Sequence, residues 1–133
     1  MSFCLHTTLF GETMAEHAER ELFLKHLAEA KKELGLSFDL KDRQIEALEA
    51  MYNGKDVVCV LPTGYGKSAI FQLLPPLMKL KFGMDRLPVV IVITPLNAIM
   101  QDQVLSLSRM GFMACFLDIK GVGASTCRVG THR

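Results

Sequence analysis

Leu61-Pro62-Thr63-Gly64-Tyr65-Gly66-Lys67-Ser68 is the stretch whose reading decides the fold. It follows a short apolar run, Asp56-Val57-Val58-Cys59-Val60-Leu61, and precedes helix-forming Ala69-Ile70-Phe71-Gln72-Leu73-Leu74. A strand, a glycine-bearing turn, then Gly-Lys-Ser opening a helix is the context a phosphate-binding loop requires. Glycines let the backbone curl so that successive N–H groups point at one anion, and the helix N-terminus adds its positive end. On this reading Thr63, Gly64, Tyr65 and Gly66 form the cradle of an ATP site. Lys67 reaches the β- and γ-phosphates as a point charge, and Ser68 offers its hydroxyl to the Mg2+ that accompanies ATP. Leu61 breaks the strict pattern, which has Gly or Ala at its first position. The plain alternative is a turn of similar composition with no ligand.

Working outward, the 133 residues suffice for one modest domain with a real core. Half of them are apolar, which excludes disorder throughout, and a net charge of +1 predicts neither a nucleic-acid sponge nor an acidic binder. Any DNA contact must therefore come from local arrangement. The longest purely aliphatic run, Val89-Val90-Ile91-Val92-Ile93, is far short of a membrane span, and no signal peptide is evident. Cys4, Cys59, Cys115 and Cys127 show no CxxC pairing; Cys59 and Cys115 sit in apolar runs and read as small buried hydrophobes. A reducing compartment, nucleus or cytoplasm, fits this cysteine usage, and secretion does not.

Residues 12–34 carry a helical pattern, with Ala15, Ala18, Leu22, Leu24, Leu27 and Leu34 among charges and Gly35 as a stop. The helix either packs on the following domain or offers its face to a protein partner. His17 and His26 read as solvated rather than as ligands. A second helix is expected from Asp42 to Met51, leaving through Asn53-Gly54. Strand one is Asp56 to Leu61, and a helix starts at Lys67, broken by Pro75-Pro76. Strand two is Leu87 to Ile93, whose continuous apolar character predicts a parallel strand covered on both faces. Thr94-Pro95 opens a helix reaching Met110, with Thr94 as N-cap, and strand three runs from Phe112 to Leu117. Alternation of strands and helices predicts an α/β fold with a parallel sheet and flanking helices. The stretch 120–133 has neither period and reads as an irregular tail.

Three stretches, in order and at suitable spacing, resemble the start of the RecQ-like branch of superfamily 2 DNA helicases. Leu40-Lys41-Asp42-Arg43-Gln44 resembles motif 0 of that family, Leu61 to Ser68 is similar to motif I, and Ile93 to Val104 looks like motif Ia. The resemblance implies a partial RecA-like ATP-binding lobe over 36–119, after an N-terminal helical extension over 1–35 and before the tail. It implies that Gln44 reads the adenine edge, with Lys41 beside it where the family commonly has Arg, a planar fork replaced by a point charge. Phe38 either packs on the base or staples the helix start. The resemblance also puts a DNA strand, single or at a fork, near motif Ia. There the expected helix N-terminus suits a backbone phosphate, and Thr94, Asn97 and Gln101 add polar contacts that position a strand without reading its bases. Read without the family, the same segment is a well-capped core helix with a polar face.

Hydrolysis needs more than a phosphate cradle, because a downstream acidic pair must hold magnesium and orient water. Beyond Lys67 the carboxylates are Asp85, Asp102 and Asp118, and none is followed by Glu. Asp118 ends an apolar run but falls too early in the order of elements to be the metal-binding Asp. The acidic motif and the second lobe of a helicase are absent from these residues. The expectation is therefore ATP and nucleic-acid binding by a portion of a 3′-to-5′ DNA helicase, without hydrolysis or unwinding by this chain alone. The alternative is a non-catalytic regulatory or partner-binding fragment of a helicase. A small P-loop kinase is disfavoured, since Arg109, Arg128 and Arg133 hardly make an Arg-rich lid.

Overall fold

The computed structural model describes residues 13–93, 97–120 and 124–128, with side chains placed over 13–93 and 101–115. In chain order the elements are helices α1 (Met14–Glu33), α2 (Asp42–Tyr52), α3 (Lys67–Phe82) and α4 (Asn97–Arg109), then strands β1 (Phe116–Lys120) and β2 (Ala124–Arg128).

The helices begin and end where local chemistry directs. Thr13 caps α1: its hydroxyl accepts from the Glu16 N–H at 3.3 Å, and the Glu16 carboxylate accepts from the Thr13 N–H at 2.8 Å. This reciprocal box satisfies two N–H groups that the first turn would otherwise leave open. The helix ends at Leu34, where Gly35 turns left-handed at φ +64°. Glycines at the same sign of φ follow α2 (Gly54), α3 (Gly83) and α4 (Gly111).

The core is helix on helix. Phe23, Leu27, Ala30 and Leu34 share one face of α1 and meet Leu48 and Tyr52 of α2 and Leu73 and Leu77 of α3. The Phe23 and Tyr52 rings lie 5.3 Å apart at a tilt of 59°. Leu22 and Leu24, expected on the apolar side of α1, are half exposed, because the i, i+4, i+7, i+11 stripe runs through Phe23 instead. His26, expected to be solvated, is half-buried and hydrogen-bonded through Nδ1 to the Tyr52 hydroxyl at 2.9 Å. The Lys81 ammonium lies over the Tyr52 ring at 4.6 Å and donates to the Tyr52 carbonyl. Burial raises the Tyr52 hydroxyl pKa, favouring the protonated form that can share this bond with His26.

Two sequence expectations about local structure are corrected. Pro75 and Pro76 do not break α3, which continues through both to Phe82. Each proline lacks the N–H that would bond four residues back, at a cost of about 3 kcal/mol in an isolated helix. Burial offsets that cost here, since Pro76, Leu73 and Leu77 are among the most completely enclosed residues. Cys59 and Cys115 are exposed free thiols rather than buried hydrophobes.

The parallel sheet is also corrected. Residues 56–61 and 87–93 run without any strand pairing, and the pairing among the described residues is the antiparallel ladder of β1 with β2, Phe116 opposite Arg128 through Lys120 opposite Ala124. The third expected strand thus forms later than 112–117, and its partner comes from 124–128, within the stretch expected to be irregular. The apolar runs themselves face outward: Val60 is 79 % exposed and Ile93 94 %. An apolar β-branched run favours extended backbone, but a strand also needs a neighbour for its N–H and C=O groups. A lone two-stranded ladder is marginal in water, and the three helices that form the core pack on one another without covering either run. The pattern of continuous apolar residues was legible; the layer that would bury it is not supplied by these helices.

Candidate functional site

The loop 61–68 is built by three left-handed or tight backbone turns. The buried Leu61 anchors its start, Tyr65 N–H donates to the Pro62 carbonyl at 3.2 Å, and Gly64 sits at φ +79°. Gly66, at φ +91° and ψ +38°, is the residue from which α3 springs, and its carbonyl accepts from the Ala69 N–H at 3.1 Å. The N–H groups of Gly64, Gly66, Lys67 and Ser68 meet no acceptor among the described residues. Four open donors at a helix N-terminus, with the helix dipole behind them, are an arrangement suited to an anion. Lys67 is exposed beside them and pairs with no carboxylate among the described residues. Thr63 and Gly64 are exposed, and a Cβ added at Gly64 would meet nothing within 4 Å.

Gln44 holds this loop from behind. It is 2 % exposed at the start of α2, and its Nε2 donates to the Gly66 carbonyl at 2.8 Å and to the Tyr65 carbonyl at 3.2 Å. Its Oε1 accepts from the Lys41 N–H at 2.8 Å, which caps α2. Both amide hydrogens are therefore spent on loop carbonyls. The approach is so close that a Cβ at Gly66 would lie 2.6 Å from Gln44 Nε2. Glycine is required at 66 on two counts, the sign of φ and the space taken by Gln44. Lys41 lies with its ammonium 4.3 Å above the Tyr65 ring, a cation–π contact that places charge at the rim of the loop. Phe38 is 48 % exposed and does not join the core.

Ser68 is half-buried, and its hydroxyl accepts from Gln103 Nε2 of α4 at 2.9 Å. The structure thus brings Lys41, Gln44, Thr63, Gly64, Tyr65, Gly66, Lys67 and Ser68 into one neighbourhood. Gln103, named in sequence only as part of a motif, joins them, and no spacing rule could have shown that it faces Ser68 rather than solvent. The expected nucleic-acid contacts are less assembled. Thr94 lies outside the described residues, Asn97 is the first residue of α4 with its side chain outside the described set, and Gln101 is exposed on that helix. Strand two, expected just before α4, is not formed among the described residues.

The model of the DEAD/DEAH box helicase family matches residues 41–128, the span that holds α2, the glycine loop, α3 and α4. The chain belongs to the DEAD/DEAH box helicases. Within that family it resembles RecQ-like members. It is 44 % identical over 78 residues to the ATP-dependent DNA helicase Q-like SIM of Arabidopsis thaliana, covering 59 % of this chain and 8 % of the relative. To the ATP-dependent helicase SGS1 of Saccharomyces cerevisiae it is 40 % identical over 81 residues, 61 % of this chain and 5 % of that protein. The probable ATP-dependent DNA helicase RecS of Bacillus subtilis is 38 % identical over 71 residues, 53 % of this chain and 13 % of its own length. The chain therefore spans a small fraction of the helicases it matches. No solved structure matches it. Among the described residues of this helicase segment, no helix is long and apolar enough to cross a membrane.

Proposed function

We propose that this helicase segment binds ATP with Mg2+ at loop 61–68 and does not hydrolyse it by itself. One observation carries the reading: four N–H groups at the head of α3 that meet no acceptor among the described residues, beside an exposed Lys67 that pairs with no carboxylate among them. Bound nucleotide would bring the β- and γ-phosphates to those donors, with Lys67 supplying positive charge and Ser68 one hydroxyl oxygen toward magnesium. The donor set fits a hard cation that keeps most of its ligands from phosphate and water. Thr63, Gly64, Tyr65 and Gly66 shape the cradle. Lys41 and Gln44 border it, and an adenine contact by Gln44 requires exchanging one of its two bonds to the loop.

The names of the relatives extend the proposal to nucleic acid: α4, with Thr94 three positions before it in sequence, Asn97 at its start and Gln101 on its exposed side, is the segment that would lie along a DNA backbone. In a full-length helicase such a segment would serve 3′-to-5′ unwinding. A reducing compartment, nucleus or cytoplasm, suits two exposed free thiols. A regulatory or partner-binding fragment that binds nucleotide without turnover is the alternative.

The test is thermal unfolding with and without Mg-ATP. A ligand that binds only the folded state raises Tm, by an amount equivalent to about 2.7 kcal/mol at a hundredfold excess over Kd. Lys67→Ala should abolish the rise while leaving the unliganded Tm unchanged. An equal rise in wild type and variant refutes the assignment of the loop. DNA-stimulated phosphate release that scales with purified chain refutes the absence of turnover.

A further inference from the structure

Apart from the bonds that Gln44 makes, one chain of side-chain hydrogen bonds among the described residues touches the glycine loop, and it ends on Ser68 Oγ. Gln103 Nε2 donates to that oxygen at 2.9 Å, and Gln103 Oε1 accepts from Gln72 Nε2 at 3.3 Å. Gln72 is 7 % exposed and lies four residues after Ser68, on the same face of α3. Gln103 comes from α4, 35 positions beyond Ser68 in sequence. Two residues earlier on α4, Gln101 is exposed, as expected for positions about 200° apart around a helix. Helix α4 therefore presents one face to solvent and another to Ser68.

We propose that Gln103 is a positioning residue for the Ser68 hydroxyl, held by Gln72, and that it sets how strongly magnesium strengthens nucleotide binding. The proposal rests on the reading of 61–68 as a nucleotide site. A hydroxyl that gives a lone pair to a cation must send its own proton elsewhere. In this structure Gln103 donates to Ser68, so the hydroxyl oxygen faces an N–H. Turning the Gln103 carboxamide by half a turn exchanges Nε2 and Oε1 with almost no displacement of heavy atoms. Oε1 then accepts the Ser68 O–H, and Nε2 donates to Gln72, whose carboxamide turns in the same sense to offer Oε1. The direction of the whole chain reverses, Gln72, Gln103 and Ser68 stay linked, and no proton is transferred. A leucine at 103 removes the acceptor, so the Ser68 hydroxyl loses both its fixed rotamer and the destination of its proton.

The experiment is calorimetric titration of the full chain with ATP, once with saturating Mg2+ and once in EDTA. The readout is the ratio of the two affinities. Gln103→Leu should lower that ratio about threefold to tenfold, the range of one hydrogen bond, with the affinity in EDTA unchanged. Gln103→Glu should retain the ratio, because a carboxylate accepts from both Ser68 and Gln72. Ser68→Ala should remove the magnesium effect, and adding Gln103→Leu or Gln103→Glu to it should change nothing further. A purely packing role for Gln103 would lower both affinities together or leave the ratio intact in Gln103→Leu, and either result overturns the proposal. Failure of the underlying reading looks different: wild type then binds no nucleotide, or binds it regardless of Lys67→Ala, and both proposals fall together.

Discussion

Gly66→Ala gives the most direct measure of how α2 fastens the glycine loop. Two costs separate in the structure. The first is conformational: at φ +91° any L side chain is strained, and a left-handed residue other than glycine costs about 1–2 kcal/mol. The second is the collision of the new Cβ with Gln44 Nε2, 2.6 Å away. That amide is the end of a flexible side chain, but it is fixed by the carbonyls of Tyr65 and Gly66 and by the Lys41 N–H, inside a residue only 2 % exposed. Moving it aside strands buried polar atoms at a cost of about 1–3 kcal/mol. The total for Gly66→Ala is about 2–5 kcal/mol, a large share of the stability of a small domain. Gly64→Ala is the built-in control. Its φ of +79° carries a similar strain, yet its Cβ would meet nothing, so its cost should stay at about 1–2 kcal/mol. Urea denaturation followed by circular dichroism gives both values. In a Gln44→Ala background the collision is gone, and Gly66→Ala should then cost no more than Gly64→Ala does. Equal costs for the two glycine variants in the wild-type background would refute the role of Gln44 as a brace.

Two further outcomes follow from the same structure. The Thr13 N–H and then the Thr13 hydroxyl lower the Glu16 pKa, so its contribution is present above the ordinary glutamate range and is lost as pH falls through its lowered value; a pH series of urea midpoints should therefore fall less steeply at acid pH in Glu16→Gln than in wild type, with parallel slopes near neutrality. Cys59 and Cys115 should both react with a thiol reagent in the folded chain, read by peptide mapping, whereas protection of either until denaturant is added would contradict its exposure.

Much of the helical architecture was legible because its signals are local. Gly35, Asn53-Gly54 and the Gly-Lys-Ser opening of α3 each act within one turn of chain, and the helices start and stop within a residue or two of those marks. The glycine loop was legible for the same reason. What failed depends on distant partners. Whether Val57–Val60 and Val89–Ile93 become strands is decided by what lies beside them, and an apolar run carries no information about its neighbour. Pro75 and Pro76 signal a break locally, and burial against α1 and α2 overrides it. His26 was read by its polarity, but Tyr52 of another helix supplies its partner. The bonds from the Gln44 amide to the Tyr65 and Gly66 carbonyls were likewise not legible, because they join residues more than twenty positions apart.

The continuous passage of α3 through Pro75 and Pro76 has a consequence for amide exchange. The carbonyls of Phe71 and Gln72 cannot receive the usual bond from four residues ahead, because neither proline has an N–H to give. The helical ladder therefore has a two-rung gap between the turns that carry Lys67 and Ser68 and the turns from Leu77 onward. Deuterium uptake should report the two ends as separate opening units, the far one as protected as the core and the near one exchanging on its own schedule. A ligand at the head of α3 would then slow exchange in the first two turns and leave the last turn as it was.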